Sequence, residues 1–165
     1  LKWRASIMIT ATSHQTKPKV LIVNDNATEL GSLLAGLESE GFQVSGTTDA
    51  QTALEILAET TFQAVLIDLM IPDINGLRLA RLIREDYPAI KTMLISDYFL
   101  SPVQLAKADT GVVGFIPRPF HFKEIASFVK EKVNAFTAQS AKSEMSQSRT
   151  PSQAPFDVLS VRYSY

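Results

Sequence analysis

The sequence contains no cysteine. That excludes a disulfide framework and thiolate chemistry, and it fits a cytoplasmic protein. Long hydrophobic runs are also missing, and none approaches the roughly 20 residues that span a bilayer. There is no excess of positive charge. Sixteen basic and seventeen acidic residues leave a net charge of -1, which gives no support to a nucleic-acid-binding surface. The turn after the first apolar run is Asn24-Asp25-Asn26, not G-x-G-x-x-G, and no P-loop occurs, so dinucleotide binding and P-loop chemistry have no basis. What remains is a chain of 165 residues, 45% hydrophobic, enough for one domain with a core plus tails.

From Lys19 to Phe136 short apolar runs alternate with helical patterns. Lys19–Val23 reads as a first strand. Leu30, Leu33, Leu34 and Leu37 then share one helix face. Asn26 is expected as the N-cap, with Glu29 reaching back in a capping box. Strand-like runs recur at 43–46, 64–67, 92–95 and 112–116. Between them lie stripes on Ala50, Ala53, Leu54, Leu57 and Ala58, on Leu79, Leu82 and Ile83, and a weaker helix from Pro102 to Ala108. Ile125, Val129, Val133 and Phe136 line a last helix, while Arg78, Arg81 and Arg84 read as a solvated face. Five strands alternating with five helices imply an α/β fold. The expected form is a doubly wound five-stranded parallel sheet in the order 2-1-3-4-5, a flavodoxin-like three-layer sandwich.

Two of these strands end on acids. Val20-Leu21-Ile22-Val23 runs into Asn24-Asp25, and Ala64-Val65-Leu66-Ile67 runs into Asp68. In the order 2-1-3-4-5 those strands are neighbours, about 4.8 Å apart. Asp25 and Asp68 then face one small volume, a place for a divalent cation.

The flanks read differently. Residues 1–17 are acid-poor and are expected to be a flexible leader. The folded region is 18–136. From Thr137 the composition turns to Ser, Gln, Ala, Thr and Pro and reads as a linker, 137–165 forming linker and tail. Leu159, Val161, Tyr163 and Tyr165 alternate with polar residues, compatible with a strand added to a partner's sheet edge, a tail folded back on its own domain, or a disordered tail.

Four pieces in order give the chain a family resemblance: Val20-Leu21-Ile22-Val23-Asn24-Asp25; Val65-Leu66-Ile67-Asp68 through Asn75-Gly76; Met93-Leu94-Ile95-Ser96; and Gly114-Phe115-Ile116-Pro117-Arg118-Pro119-Phe120. The chain from about Lys17 to Phe136 resembles a receiver domain of two-component response regulators. The resemblance implies that Asp68 is the phosphoacceptor. It implies that Mg²⁺ is bound by Asp25, Asp68 and the backbone carbonyl of Met70. Ser96 would hydrogen-bond the phosphoryl group, and Phe115 would be a switch ring that turns inward as Ser96 moves. Arg118 stands where the family usually has lysine, and the following Pro119 is expected to be cis. Expected partners are a histidine kinase or phosphotransfer protein and a downstream protein effector. A homodimer through the face of the fourth helix, fifth strand and fifth helix is a further expectation. No output domain is apparent, which suggests a stand-alone receiver.

Three residues depart from the family pattern. Asn24 replaces an acid and removes one negative charge, so weaker Mg²⁺ binding is expected, with the amide meeting a metal-bound water. Arg118 keeps the charge of lysine but is planar and forked. Asp97, where a small residue is usual, is expected to repel the phosphoryl group or restrict access. A phosphorylation-independent adaptor with a relaxed acidic site is the alternative. An aspartyl-nucleophile phosphatase would need a second acid where Met70 stands, so an enzyme is not expected.

Overall fold

The computed structural model describes residues 16–143 and 157–159. Its elements alternate strand and helix from the start. β1 (Lys19–Val23) leads to α1 (Ala27–Ser39), β2 (Gln43–Thr47) to α2 (Ala50–Glu59), and β3 (Ala64–Asp68) to α3 (Gly76–Asp86). β4 (Lys91–Ser96), α4 (Pro102–Ala108), β5 (Val112–Pro117) and α5 (Phe122–Ser143) follow, and Asp157–Val158 forms a short β6. All pairings between strands are parallel, in the order 2-1-3-4-5-6. The doubly wound order 2-1-3-4-5 expected from the sequence is present, with β6 added at the β5 edge.

The strand sequences explain the layers. Along β1, Val20 and Ile22 face one side while Leu21 and Val23 face the other. β3 alternates likewise and is buried throughout, as a central parallel strand must be. Leu33, Leu37, Ile125 and Val129 cover one face from α1 and α5. Ala53, Leu57, Leu79, Ile83 and Leu105 cover the other from α2, α3 and α4. Right-handed crossovers then carry every βα loop of β1 to β5 to the same edge of the sheet.

Two sequence expectations are corrected, and for the tail the fold-back reading is the one met at residues 157–158. α5 does not stop at the composition change but runs on to Ser143, because Ala138, Gln139, Ala141 and Lys142 are good helix formers. Part of the expected linker is therefore helix. The tail pairing is made by Asp157 and Val158, opposite Gly114 and Phe115, and the Leu159 amide donates to the Phe115 carbonyl at 2.9 Å. Arg81 and Arg84 are exposed but not merely solvated. They donate to the Ala108 and Asp109 carbonyls at 2.8 Å, and Arg84 also pairs with the Asp109 carboxylate. Asp109 takes a left-handed backbone (φ 44°) at the end of α4, so these arginines staple that helix end. The leader (1–15), the remaining linker (144–156) and the strand-like alternation beyond Leu159 lie outside the described residues. Among the described residues, no helix is long and apolar enough to cross a membrane.

Candidate functional site

The βα loops enclose a cavity of about 540 Å³ at the C-terminal edge of the sheet. Asp25, Asp68, Ser96 and Arg118 all line it, each from the end of a different strand. This is the switch point where β1 lies between β2 and β3, the place where open α/β sheets bind ligands.

Asp68 is the last residue of β3 and only 6% exposed. Its Oδ1 accepts from the Met70 amide at 2.9 Å, and its Oδ2 accepts from Arg118 Nη2 at 2.5 Å. The loop behind it is tightly built. Asp73 Oδ2 accepts from the Ala50 and Gln51 amides at 2.9 and 3.2 Å, tying the loop to the start of α2. Asn75 caps α3. A Cβ on Gly76 would lie 2.5 Å from the Asp68 carbonyl oxygen, so glycine is what lets α3 begin there.

Asp25 is exposed on the cavity wall and has no side-chain hydrogen bond or ion pair among the described residues. Ser96 is buried, and its hydroxyl accepts from the Tyr98 amide at 2.9 Å. The Arg118–Pro119 bond is cis, as the family resemblance implied.

The donors offered by Asp25, Asp68 and the Met70 backbone are oxygens, the chemistry of a hard cation such as Mg²⁺. Two carboxylates and one carbonyl form a small oxygen set, which suits an ion that takes few protein ligands and keeps water for the rest.

Several expected roles change. Asn24 is fully buried and stands behind the cavity wall. Its Oδ1 accepts from the Asn26 amide at 2.9 Å, and its Nδ2 donates to Glu29 Oε2 at 2.5 Å. The amide is thus committed inside the protein rather than facing a metal-bound water. The Phe115 ring is already completely buried, among the residues under α2, α3 and α4. In this conformation the ring therefore already lies inward. Asp97 is largely exposed and 3.8 Å from Arg118 Nη1, so its charge is partly balanced.

The residue that sequence reasoning missed is Glu29. Asn26 caps α1 as expected, accepting from the Thr28 and Glu29 amides. The glutamate does not complete the capping box, because Asn24 has taken the Asn26 amide. Instead Glu29 receives Arg118 Nε at 2.8 Å and Nη2 at 2.6 Å. The Arg118 bond holds the Glu29 carboxyl below its ordinary pKa, against burial that pushes it up. Arg118 is correspondingly held charged, first by Glu29 and also by Asp68. The i, i+3 capping pattern gave the glutamate a sufficient local role, and nothing in the sequence links positions 29 and 118.

Comparison with known proteins agrees with this fold. Residues 20–130 match the family model described as the response regulator receiver domain. The response regulator ArlR of Staphylococcus saprophyticus is 32% identical over 114 residues, 68% of this chain and 50% of that protein. The chain spans about half the length of such curated relatives. A CheY-like receiver domain from Methanospirillum hungatei superposes with a TM-score of 0.69 at 24% identity, covering 74% of this chain and 98% of that one. The response regulator TrrA of Thermotoga maritima, solved with Mg²⁺ and beryllofluoride, gives 0.63 at 23% identity, covering 70% and 98%.

Proposed function

Because this chain belongs to the response regulator receiver domain family, we propose that it is a phosphorylation-controlled signalling module of a two-component phosphorelay, with Asp68 as acceptor. The observation that supports this most is convergence. The ends of β1, β3, β4 and β5 bring Asp25, Asp68, Ser96 and Arg118 to one cavity, with Arg118 2.5 Å from the Asp68 carboxylate.

Asp25, Asp68 and the Met70 carbonyl would hold Mg²⁺, which cancels charge between the carboxylate and an incoming phosphoryl group. The chain's own residues do the rest. An Asp68 oxygen attacks phosphorus on a phosphohistidine of a kinase or phosphotransfer protein. The P–N bond breaks, and the histidine leaves with the electron pair and takes up a proton. Arg118 supplies N–H donors to the equatorial oxygens, where charge spreads during transfer. Ser96 exchanges its bond from the Tyr98 amide for one to the phosphoryl group. The reordered loop after β4 is then what a downstream protein senses, and a homodimer through the α4–β5–α5 face is one form that contact takes. We place the module in the cytoplasm, with signalling rather than catalysis as its role and slow self-dephosphorylation as its only turnover.

The test uses a small donor. Incubation with phosphoramidate and Mg²⁺ is expected to add the mass of one phosphoryl group, absent from Asp68→Asn and abolished by chelation. No mass increase under any donor or metal condition would instead mark the chain as a phosphorylation-independent docking adaptor.

A further inference from the structure

Glu29 has no part in the scheme above, yet it makes more contacts with Arg118 than Asp68 does. Its two oxygens take the Nε and Nη2 donors side-on, at 2.8 and 2.6 Å. A guanidinium has five N–H donors in a rigid plane. With the Nε/Nη2 side held, the remaining Nη1/Nη2 edge is turned toward Asp68 and Asp97. Nη2 reaches Asp68 at 2.5 Å and Nη1 stands 3.8 Å from Asp97. Glu29 is fixed in turn by the Asn24 amide, and Asn24 by the Asn26 amide. A line of hydrogen bonds thus runs from Asn24 through Glu29 and then Arg118, 89 residues further along the chain, to the Asp68 carboxylate.

We infer that Glu29 is a positioning residue, orienting Arg118 so that the Nη1/Nη2 edge it already turns to Asp68 receives a tetrahedral oxyanion there. This rests on the reading of Asp68 as acceptor. It also recasts two departures from the family pattern as one matched set. A lysine at 118 has a single ammonium and cannot fork onto Glu29 while serving Asp68. An aspartate at 24 would put a second carboxylate against Glu29 where the amide now donates. Asn24, Glu29 and Arg118 suit one another, and restoring one usual residue alone makes the site worse.

The experiment compares phosphoramidate labelling rates at fixed Mg²⁺ in the full chain. The variants are Glu29→Ala, Glu29→Gln, Arg118→Lys, Asn24→Asp, and Glu29→Ala combined with Arg118→Lys. Glu38→Gln, an exposed acid on the same helix, is the control. Loss of Glu29 is expected to slow labelling about tenfold, the effect of one charge-assisted hydrogen bond. Glu29→Gln should fall between. Asn24→Asp should slow labelling rather than speed it. In the Arg118→Lys background, removing Glu29 should change nothing further. A separate readout needs neither donor nor metal: the Arg118 Nε–H resonance should be protected from exchange in the wild type and lost in Glu29→Ala. Labelling by Glu29→Ala at the wild-type rate, or independent multiplication of the 29 and 118 effects, would overturn the inference alone. A wild type that never labels would overturn the acceptor reading and this one with it.

Discussion

Arg118 serves two carboxylates at once, so its neighbours decide what it can do. A forked, charge-assisted contact on Glu29 leaves it less free than a flexible lysine would be. Gly76 constrains the other side of Asp68. Gly76→Ala would drive a methyl group to 2.5 Å from the Asp68 carbonyl oxygen, against backbone that cannot step aside. A loss of about 1–3 kcal/mol is expected, as for other overpacked sites. Urea unfolding would measure it, and a midpoint unchanged from wild type would mean the loop has slack that the geometry denies. At this scale strand order alone was enough to bring Asp25 and Asp68 to one edge, whereas Ser96 and Arg118 were reached only through the family resemblance. It was not legible for Glu29, whose partner is far along the chain, or for Asn24, whose burial depends on where that glutamate turns.

The elements differ in how firmly they are held. β3 is buried along its whole length, whereas α4 has seven residues and buries only Leu105. Leu66→Ala, at a fully buried position of β3, is expected to cost about 2–5 kcal/mol in urea unfolding. α4 should exchange its amides sooner than the other helices, since few buried contacts hold it. Arg84→Ala, which cuts the staple to Asp109, should speed exchange in α4 while leaving β3 protected. Uniform acceleration across the sheet would contradict a local role. β6 covers part of the β5 edge, and an open edge invites pairing with another chain. Truncation after Ser143 should therefore lower stability and increase self-association in sedimentation. A truncated chain as stable and monomeric as the full one would leave β6 without a capping role. The period of apolar residues located strands and helices well, because buried faces enforce it. It failed at the end of α5 and at β6, where composition and a two-residue pairing carry no period.

Across the whole molecule the charge nearly balances, so stability against acid should follow particular carboxylates rather than net repulsion. Glu29, Asp49 and Asp109 are held below their ordinary pKa values, respectively by Arg118, by Thr52 at the start of α2, and by Arg84. A folded-state pKa below the unfolded one contributes stability that is present above the unfolded value and lost as pH falls through the folded one. Urea midpoints should thus stay level down to about pH 5 and decline below about pH 4, near the unperturbed carboxylate values. A midpoint that rises on acidification would contradict these assignments. The same architecture also explains why the family was recognisable. A doubly wound sheet sends its loops to one edge, so four short motifs in order determine which side chains meet.

The central claim is that phosphate goes to the carboxylate ending β3. Borohydride reduces an aspartyl phosphate to homoserine, and peptide mass spectrometry locates the reduced residue. After phosphoramidate and Mg²⁺, homoserine is expected at position 68 and nowhere else, and not after chelation. Homoserine at position 25 or 97 instead, or at none, would contradict the claim.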